Sequence, residues 1–279
     1  MARDFKNVKR IVVKIGSSSL TYNSTHKLNI DRIDRLAREI SDIMNSGLEV
    51  VLVSSGAIAT GMARMNIECK PDQLSKKQAL ASIGQSNLME IYNKCFADYG
   101  YTAGQLLLTK YVIDHAQMRE NAENCINEML KMGIIPIINE NDAISVDEIK
   151  LGDNDNLSSI VARLVKADLL IILSDIDGLY NKDPNTFADA QKIEEIDDIS
   201  LLKIDLNSSK SKLGTGGIQT KLKACDDATK AGIDCVIANA NNPHALKQIL
   251  LGKQTGTLFK KCKTQNKSLA KNEENDFQL

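Results

Sequence analysis

Tryptophan is absent from this chain, and aromatic residues make up only 4% of its 279 positions. The apolar share, 43%, is therefore carried mostly by Ile, Leu, Val and Ala, a mix that suits a helix-covered parallel sheet better than a β-sandwich. No Cys-x-x-Cys pair occurs among the six cysteines, at 69, 95, 125, 225, 235 and 262. They read as scattered small hydrophobes in a reducing compartment, neither a disulfide framework nor a metal site. No apolar run approaches membrane-spanning length, and the opening Met-Ala-Arg-Asp-Phe-Lys lacks the apolar core of a signal peptide. Charge of one sign is lacking too. With a formal net charge of −1, no global field draws nucleic acid or an anionic membrane. His26, His115 and His244 show no ligand spacing and read as surface residues, so no protein-held metal is expected. What remains is a soluble, cytoplasmic protein without nucleic-acid or membrane partners, long enough for one large or two small domains.

What is present centres on residues 134–156. The run Ile-Ile-Pro-Ile-Ile at 134–138 has the apolar, β-branched character of a buried strand. Asn139, Glu140, Asn141 and Asp142 follow at its C-terminal end. A dozen residues on, Gly152-Asp153-Asn154-Asp155-Asn156 leads into the apolar, small-residue start of a helix. Two clusters of carboxylates and amides thus flank a strand end and a helix N-terminus, where open α/β sheets bind ligands. A capped helix plus a polar turn would use the same residue types.

Along the chain, strand and helix alternate, which predicts an α/β fold with a mostly parallel sheet. Residues 10–15 form a first strand with Lys14 inside an apolar run, followed by the small turn Gly16-Ser17-Ser18-Ser19. Asn29 caps a helix to about residue 45, with Ile30, Ile33, Leu36, Ile40 and Ile43 at helical spacing and Gly47 as its stop. A second strand at 50–53 ends in Ser54-Ser55-Gly56-Ala57. Further helices are expected at 75–99 and 114–132, closed by Gly100 and Gly133, with a strand at 104–108 between them. A hairpin is expected at 144–151 and a helix after an Asp153 cap. A buried strand at 169–173 then ends in Ser174-Asp175. Residues 181–213 read as a polar excursion over a binding face. Gly214-Thr215-Gly216-Gly217-Ile218-Gln219-Thr220-Lys221 opens a helix to 231, and a strand at 235–238, a helix from Pro243 and an edge strand at 257–259 finish the fold.

Lys14, followed by Gly-Ser-Ser, has the make-up of a phosphate grip: one point charge and several backbone N–H groups. A lysine whose stem runs along the sheet rim to solvent would look the same. Residues 214–221 repeat the pattern, with backbone amides at a helix start and Lys221 one turn in; a flexible loop before a helix is the alternative. The glycine spacing matches neither a Walker A loop nor the Gly-x-Gly-x-x-Gly fingerprint. Two isolated lysines, small turns at strand ends and an acidic cluster describe phosphoryl transfer. Asp155 would hold both lysines in position, or serve only as an acid favourable to its helix dipole.

Taken together, Lys14-Ile15-Gly16-Ser17-Ser18, Val53-Ser54-Ser55-Gly56-Ala57-Ile58, Pro136 through Asp142, Gly152 through Ser158 and Gly214 through Lys221 resemble the glutamate 5-kinases of the amino acid kinase family. The resemblance spans about residues 8–260. It implies a three-layer αβα sandwich over residues 1–262, with L-glutamate across the N-terminal half and ATP, carrying Mg²⁺, across the C-terminal half. The activity implied is phosphorylation of the glutamate γ-carboxylate, the first step of proline synthesis. Catalytic roles carry over to Lys14, Lys221 and Asp155, and glutamate contacts to Ser54, Asp142 and Asn154. Nucleotide contacts carry over to Lys14, Ser174, Asp175, Thr215, Gly216, Gly217, Ile218, Gln219, Thr220 and Lys221. Chemically, an α-ammonium calls for a carboxylate such as Asp142, and carboxylates call for donors such as Ser54 and Asn154. A γ-carboxylate is already ionised at neutral pH, so no general base is needed. Proline as feedback inhibitor, a downstream glutamyl phosphate reductase and a homo-oligomer are further implications. The C-terminal PUA domain of many members is not expected in this chain, and residues 263–279 read as a disordered polar tail. Two rivals stand beside this reading: a sister kinase for another carboxylate or carbamate, and a catalytically silent nucleotide or amino-acid sensor.

Overall fold

Alternate residues along the central strands bury on opposite faces of one sheet, and this alternation builds the three layers. The computed structural model describes residues 3–22, 25, 27–145, 154–182, 184, 186–202 and 217–262. In chain order these contain β1 (Arg10–Ile15), α1 (Ser17–Leu20), α2 (Ile30–Asn45), β2 (Glu49–Ser54), α3 (Ala57–Arg64), α4 (Leu74–Ala97) and β3 (Ala103–Leu108). There follow α5 (Lys110–Asp114), α6 (Ala116–Lys131), β4 (Ile135–Glu140), α7 (Asp155–Leu164), β5 (Leu169–Ser174), β6 (Leu179–Tyr180) and β7 (Lys192–Ile193). The last are β8 (Glu195–Ile196), α8 (Ile218–Lys230), β9 (Asp234–Asn239), α9 (Ala245–Leu250) and β10 (Thr257–Phe259).

Ile11, Val13 and Ile15 of β1 pack with Val50 and Leu52 of β2, Ile171 of β5 and the apolar faces of α2 and α4. Val12 faces the other way, joining Val51, Val53, Ile172 and the buried residues of α6, α7 and α8. Strands buried on both faces read as continuous apolar runs, as parallel sheets require. The main sheet runs β3-β4-β2-β1-β5-β9-β10-β8, parallel except where β10 meets β9. From β1 the chain builds toward β2, β4 and β3, then crosses back to β5 and β9. The topological switch therefore lies between β1 and β5, where Lys14 pairs in register with Ile172. Ligand crevices of open α/β sheets open at that point, beyond the strands' C-terminal ends.

Several expectations are revised in detail. The helix expected at 114–132 is α6, Ala116–Lys131, and an unexpected short helix precedes it: Thr109 caps α5 by accepting from the Val112 N–H, and the chain breaks at His115 between the two. Ile30, placed on the apolar face of α2, is 51% exposed. The strand at 257–259 is not at the edge, because β8 pairs beyond it. The polar excursion contributes that edge strand and β7, which pairs with β6 just ahead of it in a small ribbon. Asn154, not Asp153, stands at the N-cap of α7, and its side chain makes no cap hydrogen bond. Asp153, Thr215, Gly216, His26, most of the expected hairpin and residues 263–279 lie outside the described residues.

Helices α3 and α4 cross backbone against backbone. A Cβ at Gly61 would overlap the Leu80 carbonyl, and one at Gly84 would overlap the Ala57 carbonyl oxygen. Gly56, just before α3, sits at φ +106, a turn that only glycine makes without strain.

Candidate active site

Lys14 lies on the β1 face that α7 covers, and its buried ammonium meets a carboxylate there. Its Nζ is 2.5 Å from Oδ1 of Asp155, the first residue of α7. Lys221, in the first turn of α8, places its Nζ 3.1 Å from Oδ2 of the same carboxylate. The Thr220 hydroxyl donates to that oxygen at 2.9 Å. Asp155 is wholly buried, and both lysines nearly so. The carboxylate also sits where a helix N-terminus favours negative charge. Lysines far apart in sequence thus meet on one carboxylate, and the rim-lysine reading of Lys14 falls away. Gly217, at the N-cap of α8, brings no capping side chain, and a helix N-terminus of this kind suits an anion. At the end of β5, Ser174 donates to Asp175 at 2.9 Å.

The second group of residues lies at the ends of β2 and β4. Ser54 is buried; its hydroxyl donates to the Ser55 carbonyl at 3.1 Å and shares a 2.8 Å hydrogen bond with the Tyr92 hydroxyl of α4. Asn154 donates to the Ser54 carbonyl at 3.3 Å and to Asn139 Oδ1 at 2.7 Å. Asp142 follows β4, and burial pushes its carboxyl up to about 7, the negative charge of Glu140 adding and Lys70 opposing. Oδ1 of Asp142 and Oδ1 of Asn154 are both buried without a hydrogen-bond partner among the described residues. Two orphaned acceptors are costly in an interior and call for a ligand that brings donors.

Three features escaped the sequence reading. Tyr92 sits mid-helix and reads as core, yet its hydroxyl fixes Ser54. Asn139 and Gln85, 54 positions apart, hydrogen bond at 2.8 Å, a pairing that no local spacing announces. Cys225 and Cys235 are not scattered in space: their Sγ atoms lie 2.9 Å apart, one turn beyond Lys221. Both are buried, and burial pushes the Cys225 thiol well above its usual range.

The amino acid kinase family model matches residues 9–239. A glutamate 5-kinase from Clostridium perfringens is 49% identical over 264 residues, covering 93% of this chain and 98% of that enzyme. One from Listeria innocua is 47% identical over 93% of this chain and 95% of its own length. One from Thermoanaerobacter sp. is 47% identical over 90% of this chain and 67% of its own length. Among solved structures, UMP kinase from Bacillus anthracis superposes with a TM-score of 0.61 at 16% identity, covering 91% of this chain and 96% of that one. Isopentenyl phosphate kinase from T. acidophilum superposes at 0.60 and 17%, covering 90% of this chain and all of the other; likeness at that identity concerns the fold alone. The match over 9–239, the sheet order and relatives near half identity agree: the chain belongs to the amino acid kinase family.

Proposed function

We propose that this chain is an ATP-dependent L-glutamate 5-kinase, transferring the γ-phosphoryl group of ATP to the glutamate γ-carboxylate to give L-glutamyl 5-phosphate and ADP. The observation that carries this reading is the buried Asp155 carboxylate with a lysine on each oxygen. A transferring phosphoryl group spreads negative charge over its oxygens, and two pre-positioned ammonium groups meet that charge without reorganisation. The γ-carboxylate attacks already ionised, so the site needs orientation and charge neutralisation rather than a base. Lys14 and Lys221 serve the phosphates and Asp155 keeps them apart and aimed. Nucleotide contacts come from Ser174, Asp175 and the start of α8, Gly217 through Lys221, with Thr215 and Gly216 adjoining. Ser54, Asp142 and Asn154 take the amino acid, the carboxylate of Asp142 facing its ammonium. Mg²⁺ comes with the nucleotide in this reading, and no step here relies on it.

Among the described residues no helix is long and apolar enough to cross a membrane. The same reading includes a cytoplasmic setting, a homo-oligomer, restraint by proline and delivery of the acyl phosphate to a glutamyl phosphate reductase. A coupled assay of ADP release, with L-glutamate, N-acetyl-L-glutamate and L-aspartate supplied separately, tests it. Turnover with glutamate far above the other two is expected, and equal turnover with N-acetylglutamate would overturn the substrate assignment.

A further inference from the structure

Amide side chains look alike at both ends, so what an Asn offers a ligand depends on what pins it. Asn154 is pinned from two sides. Its NH₂ donates to the Ser54 main-chain carbonyl, a group that can only accept. It also donates to Asn139 Oδ1, which accepts at 2.9 Å from the Glu140 main-chain N–H, a group that can only donate. These two backbone groups decide which end of each Asn is nitrogen. The Asn139 NH₂ then donates to Gln85 Oε1 at 2.8 Å, and the Gln85 NH₂ to Gln105 Oε1 at 3.1 Å. Four amides run head to tail from the sheet edge at β3 to the start of α7. The chain ends on Asn154 Oδ1, wholly buried and without a partner among the described residues. Aligned amides polarise one another, so the terminal oxygen is a stronger acceptor than an isolated amide's.

We propose that Gln85 and Asn139 are positioning residues that make the Ser54–Asp142–Asn154 subsite selective for a substrate carrying a primary ammonium, by holding Asn154 with its oxygen rather than its NH₂ toward the bound molecule. The proposal rests on the amino acid phosphotransferase reading and refines it. The sequence expectation had Asn154 donating to a substrate carboxylate; its donors are already spent. A second orphaned acceptor, Asp142 Oδ1, follows the end of β4, the strand that carries Asn139, and two such acceptors suit an ammonium and repel a carboxylate. A des-amino analogue leaves both oxygens unmatched, and an N-acylated one offers them a single uncharged N–H.

The test is calorimetric titration of the full chain with L-glutamate and with glutarate, which keeps both carboxylates and lacks the ammonium. Gln85→Met removes the acceptor of Asn139 and should weaken glutamate about tenfold, the worth of one hydrogen bond to a charged group, with glutarate unchanged. Gln85→Glu keeps an acceptor toward Asn139, and the exposed Gln105 can turn to donate; glutamate preference should return. In kinetics the Gln85→Met loss should appear in the glutamate KM, with kcat and the ATP KM near wild type. Should Gln85→Met not fold, Gln105→Leu at the sheet edge should shift the same ratio by about twofold. Equal weakening of both ligands, no change in the ratio, or a wild type binding glutarate as tightly as glutamate overturns the proposal. A wild type that prefers glutamate to glutarate yet shows no glutamate-dependent ADP release would instead sink the kinase reading and leave the relay standing.

Discussion

The two halves of this site are prepared in opposite ways. On the side proposed for the phosphates the charges are paired: Asp155 is flanked by Lys14 and Lys221. On the side proposed for the amino acid, Asp142 and Asn154 each keep a buried oxygen with no partner among the described residues. On the proposed reading one half is assembled before any ligand arrives, whereas the other is completed by the ligand. The difference follows from the chemistry to be matched. A phosphoryl group in transfer needs fixed positive charge at the moment of reaction. A ground-state ammonium needs only a complementary cavity, and the cost of orphaned acceptors before binding sharpens discrimination against molecules that cannot relieve it.

The largest effect should come from breaking the paired half. Asp155→Asn leaves two buried lysines with no shared counter-charge, and stability should fall by about 3–5 kcal/mol, read by chemical denaturation, with kcat collapsing as well. A near wild-type unfolding midpoint would show that Asp155 is not the keystone. Next, Lys221→Ala should lower kcat by about 10²–10³-fold, as when one preorganised donor is removed, while the glutamate KM moves little. A change confined to KM would assign Lys221 to ground-state binding.

The open half should respond in binding. Asp142→Asn should raise the glutamate KM by tens-fold or more, since truncating one partner of a buried charge pair costs about 2–5 kcal/mol; an unchanged KM would remove Asp142 from the ammonium. Its pH behaviour sharpens the contrast. A carboxyl near 7 in the folded chain, against an ordinary 3.8, binds more protons folded than unfolded between those values. Its stabilising effect is therefore full below about pH 4 and is lost as pH rises toward 7. Melting temperatures of the ligand-free protein should fall with rising pH across that window, less so in Asp142→Asn, and glutamate binding near pH 6 should release protons only in the wild type. The smallest effect belongs to Thr220→Val, which removes one hydrogen bond to Asp155: about 1 kcal/mol, a several-fold loss in kcat/KM.

The paired half was legible because its two lysines break a local rule, and Asp155, an ordinary first-turn acid, could be read with them. Lys14 is a charge inside an apolar strand, Asp155 opens a helix, and Lys221 follows a run of glycines. The central strands were legible for the related reason that burial on both faces leaves unbroken apolar runs. The relay was not legible, because Gln85 and Gln105 are ordinary polar residues and nothing local ties them to Asn139 until three elements bring them together. Nor was β8, a two-residue strand of mixed polarity that exists because β10 offers it an edge. The break at His115 was hidden because Thr109 supplies a cap of its own one turn before the expected start.

The crossing of α3 and α4 fixes a distance as well as a contact. Gly84 has no side chain, so α4 settles against the α3 backbone until main-chain atoms touch. Gln85 is the next residue, and its amide reaches Asn139 from the depth that Gly84 permits. Gly84 acts as a mechanical stop: any side chain there lifts the helix and withdraws the far end of the amide chain from β4. Gly84→Ala should therefore register first as a protein that no longer tells an amino acid from its des-amino counterpart, a change of ligand preference written by a residue that has no side chain to touch one.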